Sequence, residues 1–256
     1  MIIKQDIALD FAHEQRTLHI WLPDDYDAPG NQERYAVMYM WDGQNMFQDQ
    51  DATYGKSWGM ARYLSHWWKH MIVVGMQCAG NSPQRLNEYS PYSVRIEGSP
   101  LLHGDAELTM QWLITVVKPY IDGHFRTCPI REATGVGGSS MGGMISLYAI
   151  LRHNDVFSKA ACLSPSIRSA MPHFMREIDD AHLAADTRVY LSWGTDEWHS
   201  KTWEPTMRRN IMRLQAAIVH KQPLCRTLCY RQLGGGHNEA SWERQLPIAF
   251  PFLWEG

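Results

Sequence analysis

The residues best suited to chemistry lie together at Gly137-Gly138-Ser139-Ser140-Met141-Gly142-Gly143. Gly138-x-Ser140-x-Gly142 fits Gly-x-Ser-x-Gly, the pattern of a serine on an abrupt strand-to-helix turn. Such a turn strains the backbone and leaves the hydroxyl exposed above a sheet. Side chains at the flanking positions would collide with the neighbouring strand and helix, so glycines stand there. A phosphate-binding loop is disfavoured because no Gly-Lys-Ser/Thr follows. A plain tight turn is the other alternative, but the segment before is strand-like and Met144-Ile145-Ser146-Leu147-Tyr148-Ala149-Ile150 after it is helical. Ser140 then sits near a helix N-terminus, where the dipole favours a developing anion. The chemistry implied is nucleophilic attack by a serine hydroxyl.

A serine hydroxyl is a weak nucleophile until a base takes its proton, and histidine has the best-placed ordinary pKa. The histidines after Ser140 are His153, His173, His182, His199, His220 and His237. Only His237 occupies a late glycine-rich loop behind a strand, Gln232-Leu233-Gly234-Gly235-Gly236-His237-Asn238-Glu239. The others read as surface or packing residues. The chain order that accompanies this elbow is serine, acid, histidine. The run Val189 to Glu197 ends in two adjacent carboxylates, Asp196 and Glu197. The three-residue gap from Gly194 favours Glu197 as the group that orients the imidazole. Asp196 is the alternative, with bracing of the turn as its other role.

These residues need a scaffold, and the chain alternates strand and helix patterns. Residues 16–22 alternate polar and apolar and stop at Pro23. Residues 35–41 and 72–77 are nearly continuous apolar runs, as strands buried on both faces require. Residues 132–137, 160–164, 188–193 and 224–233 read as further strands. Helices are expected over 58–68, 105–121, 141–152, 208–220 and 239–253. In the second of these, Leu108, Trp112, Val116 and Tyr120 mark the apolar face. Asp105 is its expected N-cap, and Pro119 its end or kink. The pattern predicts one α/β domain over residues 1–256, with a mostly parallel sheet of roughly eight strands flanked by helices on both faces. Too few residues separate Ser164 from Arg188 for a large lid domain.

The same residues resemble the esterase family of the α/β-hydrolases, the esterase D and enterochelin-esterase-like group that also holds feruloyl and acetyl esterases. Trp21-Leu22-Pro23 with Tyr26, Asp42-Gly43-Gln44-Asn45-Met46-Phe47, Arg85-Leu86-Asn87-Glu88-Tyr89-Ser90-Pro91, Lys118-Pro119-Tyr120-Ile121-Asp122, and His237-Asn238-Glu239 with Trp242 carry the likeness, which spans nearly the whole chain. The Asp-Gly-Gln-Asn loop and the His-Asn-Glu segment are its specific parts. The resemblance implies Ser140 as nucleophile and His237 as base. It adds an oxyanion hole made by the backbone N–H groups of Met141 and Gln44. It implies hydrolysis of a small-molecule carboxylic ester. A thioesterase, an S-acylglutathione hydrolase or a siderophore-trilactone esterase would use the same triad. From a different class, a catalytically silent binding protein would keep the fold, but the intact serine, acid and histidine argue against it.

Composition narrows the rest. With 24 Lys and Arg against 27 Asp and Glu, the net charge is −3, which argues against nucleic-acid binding and leaves neutral or anionic esters open. No apolar run is long enough for a membrane helix. The five cysteines include no Cys-x-x-Cys pair, and the first residues show no secretory pattern, so reduced thiols and a cytoplasmic location are expected. No His-Glu-x-x-His or clustered ligands suggest a metal, and no cofactor is expected. A homo-oligomer is compatible with the sequence. Residues 77–104 read as a long functional loop. Within it Arg85 could meet an anionic substrate group, although an ion pair with Glu88 or another carboxylate is favoured. Trp58, Trp198 and Trp203 are candidate pocket walls.

Overall fold

The computed structural model describes residues 1–80, 82–95, 101–199 and 202–255. Residues 81 and 96–100 of the expected long loop, and the side chain of His199, lie outside the described part.

Eight strands form one sheet: β1 (Ile2–Leu9), β2 (Glu14–Trp21), β3 (Ala36–Trp41), β4 (Met71–Met76), β5 (Thr134–Ser139), β6 (Lys159–Leu163), β7 (Arg188–Gly194) and β8 (Arg226–Gln232). Their order is β1-β2-β4-β3-β5-β6-β7-β8. The pairs β1–β2 and β2–β4 are antiparallel, and the strands from β4 onward run parallel. The central strands are apolar throughout because both faces are covered. Val37, Tyr39 and Trp41 of β3 enter one core with Met144, Leu147 and Phe174. Met38 and Met40 enter the other with Trp58, Phe250 and Trp254. This period-two division is what a sheet between two helix layers demands.

The helices are α1 (Met60–His66), α2 (Ser82–Tyr89), α3 (Ala106–Trp112), α4 (Lys118–His124), α5 (Met141–Arg152), α6 (Met171–Asp180), α7 (Trp203–Lys221), α8 (Glu239–Glu243) and α9 (Leu246–Trp254). No described helix is long and apolar enough to cross a membrane.

Five expectations need correction. The segment 77–104 is not all loop, because α2 occupies its middle; its polar sequence, Ser-Pro-Gln-Arg-Leu-Asn-Glu-Tyr, hides a helix from apolar periodicity. The helix expected over 105–121 is α3 and α4 joined by a π-helical turn, Leu113–Val117. Its buried face is Ala106, Met110, Trp112, Leu113, Val117 and Ile121; the expected Trp112 is buried, whereas Leu108 is exposed, because a strict four-residue spacing drifts around a 3.6-residue helix. Asp105 stands at the N-cap position but its side chain makes no capping bond. The last helix is also divided, into α8 and α9.

Candidate active site

Every element of the site follows the carboxyl end of a parallel strand, the edge where open α/β sheets bind ligands. Asp42 to Asn45 follow β3, Gln77 and Cys78 follow β4, and Ser140 follows β5. Ser164 follows β6, Glu197 lies three residues beyond β7, and His237 follows β8. A cavity of about 920 Å³ opens over this edge, lined by Asp42, Gln44, Arg85, Ser140, Trp198 and His237 among others.

Ser140 has φ +56°, a conformation disfavoured for a residue with a Cβ. Strain of this kind persists only where the surroundings impose it. Here a Cβ at Gly142 would lie 3.0 Å from Trp41 Cβ, so the turn closes tightly onto β3. The backbone is tied on both sides: Ser140 N–H donates to Leu163 O at 3.0 Å, and Ser166 N–H to Ser140 O at 3.0 Å. The hydroxyl shares a hydrogen bond with Ser166 Oγ at 3.2 Å. Its partner at rest is thus a second serine.

His237 Nδ1 lies 3.0 Å from Glu197 Oε2. Glu197, not Asp196, faces the imidazole; the Asp196 N–H instead donates to Gly235 O at 2.9 Å, joining the acid loop to the histidine loop. The Glu197 carboxylate is 1 % exposed. Its Oε1 accepts from Ser164 Oγ at 2.6 Å and Gly194 N–H at 2.7 Å, and its Oε2 also accepts from Trp203 Nε1 at 3.3 Å. Burial alone would push this carboxyl up. The bonds from His237, Ser164 and Gly194 outweigh it and hold Glu197 below the ordinary carboxylate range. Trp242 Nε1 donates to Ser164 Oγ at 3.2 Å, and its ring meets His237 edge-on at 5.2 Å.

The loop after β3 is built for close approach. Asp42 has φ +57°, and Gly43–Asn45 form a 3-10 turn. A Cβ on Gly43 would fall 2.2 Å from the Gly75 carbonyl carbon, so only glycine lets the loop settle on β4. Gln44 and Met141 each stand in the first turn of a helical segment, where backbone N–H groups lack intrahelical partners. The Gln44 side chain anchors the loop through Thr53 Oγ1 and Cys78 Sγ.

Arg85 lines the cavity, but both Nε and Nη2 donate to Asp42, each at 2.6 Å. Its ion pair is with Asp42; Glu88 is taken instead by Arg16. Arg85 therefore braces the loop after β3, aided by Tyr89 Oη, which accepts from Asp42 N–H at 3.2 Å. Trp198 is at the cavity, 61 % exposed and 4.9 Å from the His237 ring. Trp58 is not a pocket wall: it is 1 % exposed and packs against Trp242 at 5.8 Å. Trp203 does not line the cavity either and reaches Glu197 instead. The sequence placed Asp42, Tyr89 and Glu239 in motifs without giving them roles, and it missed Ser164 and Ser166. Small polar residues directly after a buried strand, as in Ser164-Pro165-Ser166, were the available signal.

A sequence profile of the family described as "Putative esterase" matches residues 12–253. The chain belongs to this esterase family. It is thereby an ester hydrolase. A curated relative of this esterase, "Uncharacterized protein YbbA" from Bacillus subtilis (strain 168), is 23 % identical over 197 residues, covering 73 % of this chain and 70 % of that one. The esterase also superposes on an IroE-like serine hydrolase from Shewanella oneidensis, with a TM-score of 0.77 and 17 % identity over 98 % of this chain and 80 % of the other. The BES protein from Bacillus cereus gives 0.75 and 18 %, covering 98 % and 95 %. The siderophore hydrolase EstA from Aspergillus nidulans gives 0.73 and 18 %, covering 96 % and 93 %. The shared architecture is the α/β-hydrolase fold, without a large lid.

Proposed function

We propose that the esterase hydrolyses carboxylic esters through a Ser140–His237–Glu197 triad and an acyl-enzyme. The observation that carries this reading is the common cavity: a serine on a strained elbow and a histidine held by a buried carboxylate open onto the same space. In the first half-reaction the Ser140 hydroxyl turns from Ser166 toward His237. His237 Nε2 takes its proton as Oγ bonds to the ester carbon. The carbonyl electrons move onto oxygen, where the N–H groups of Gln44 and Met141 receive the charge. Collapse of this intermediate breaks the bond to the alcohol oxygen, which takes the proton from His237. Water, deprotonated by the same histidine, then attacks the acyl-serine and frees the acid. Glu197 holds the Nδ1–H tautomer and offsets the imidazolium charge.

A fluorophosphonate probe tests the assignment. Covalent labelling should map to Ser140 and disappear in Ser140→Ala together with hydrolysis of p-nitrophenyl esters. Labelling elsewhere, or labelling that survives in Ser140→Ala, overturns it.

A further inference from the structure

Among the described residues the charges on the cavity wall do not balance. The described cations are Lys4 and Arg85, and each already has a carboxylate: Lys4 Nζ meets Asp51 at 2.6 Å, and Arg85 is bidentate with Asp42. A third carboxyl, Glu239, lines the same cavity with no ion pair to a described residue. It is 6 % exposed. Burial pushes its proton affinity up, and the nearby negative Asp42 adds to that, while His237 and the already paired Arg85 offset it. A buried carboxyl in this condition is costly unless something completes it.

The second observation is Trp198. It has φ +64° and leaves most of its indole exposed at the cavity, against the His237 ring. A tryptophan face is the best aromatic surface for a cation, and ammonium groups are recognised by aromatic and carboxylate walls together. Glu239 lies two residues from His237 in the chain, and the Trp198 ring is 4.9 Å from the His237 ring, tilted 36° to it. The histidine delivers its proton to the departing alcohol, so the alcohol portion of a bound ester comes to the histidine side of the cavity that both residues line.

We infer that the esterase selects esters whose alcohol portion carries a positive charge, held by Glu239 and the face of Trp198, and discriminates against anionic esters. This specificity rests on the proposed ester hydrolysis at Ser140. Arg85 and Lys4, the described cations of the cavity, are paired and so not free to attract an anion.

The test compares butyrylthiocholine with its uncharged isostere, the 3,3-dimethylbutyl thioester of butyrate. The kcat/KM ratio should favour the cation by on the order of tenfold and fall toward unity in Glu239→Gln. A thioester with a carboxylate at the same position should be the poorest of the three. Tetramethylammonium should slow fluorophosphonate labelling of the wild type more than 3,3-dimethylbutanol does, a readout that needs no turnover. Equal or inverted preference with Ser140 labelled normally overturns the specificity alone, as does a cation preference that survives Glu239→Gln. Absence of Ser140 labelling overturns the ester-hydrolase mechanism and the specificity with it.

Discussion

Ser164→Ala removes one hydroxyl and retains the shape of the site. In the native protein Ser164 Oγ donates to Glu197 Oε1 at 2.6 Å and accepts from Trp242 Nε1 at 3.2 Å, all in buried surroundings. Two terms follow from its loss. A hydrogen bond to a buried charged group contributes about 1.5–3 kcal/mol, and a stranded indole N–H costs about 1–3 kcal/mol. Alanine leaves almost no cavity, and its φ preference at +44° is no worse than that of serine, so no packing or backbone term is added. These terms overlap because both groups shift toward each other, and the net destabilisation should be about 2–4 kcal/mol. Urea unfolding at neutral pH measures it as a lower midpoint with an unchanged slope. The substitution also withdraws one of the donors that holds Glu197 ionised, so the acid limb of the kcat/KM profile should move to higher pH. A midpoint equal to that of the wild type, with the acid limb in place, would refute the claim that Ser164 supports the acid.

Glu197 itself sets a pH signature. Its folded-state pKa is depressed, so its contribution is fully present above the ordinary carboxylate value of 4.5 and is lost as pH falls through the lowered value. The stability gap between wild type and Glu197→Gln should therefore be largest near neutrality and close in acid; a gap independent of pH would contradict the assignment. Gly43→Ala should lower kcat/KM by about 100-fold or more and lower the unfolding midpoint as well, since the added Cβ meets the Gly75–Met76 backbone and must displace the loop that carries the Gln44 N–H. Unaltered kinetics would remove Gln44 from the oxyanion hole. Arg85→Met leaves Asp42 buried and unpaired, at a cost of about 3–5 kcal/mol that Asp42→Asn in the same chain should partly restore. Equal unfolding midpoints for the single and double variants would refute the pairing.

The fold was legible where burial dictated pattern. The strands β3 and β4 announce themselves as unbroken apolar runs because helices cover both faces. The edge strand β1 did not, since Lys4, Asp6 and Ala8 face outward and dilute the signal. The polar helix α2 was hidden for a similar reason. In the site, Ser140, Glu197 and His237 could be chosen because each carries a local signature: an elbow, a fixed offset from a strand-end glycine, a glycine-rich loop. Asp42–Arg85 and Ser164–Glu197 join residues 43 and 33 positions apart. No local pattern encodes such pairs; they exist only once α2 comes to the end of β3 and β6 pairs with β7. Trp58 illustrates the converse: its residue type suits a pocket wall, and only packing decides that it fills a core.

The short turn Ser164-Pro165-Ser166 has a mechanical consequence. One of its serines grips the Glu197 carboxylate behind His237, and the other is bonded to Ser140 through both main chain and hydroxyl. The proposed acid and nucleophile are thus fastened to a common strut. A displacement of this turn would carry both side chains with it, so their spacing is set by three consecutive residues rather than by two independent loops.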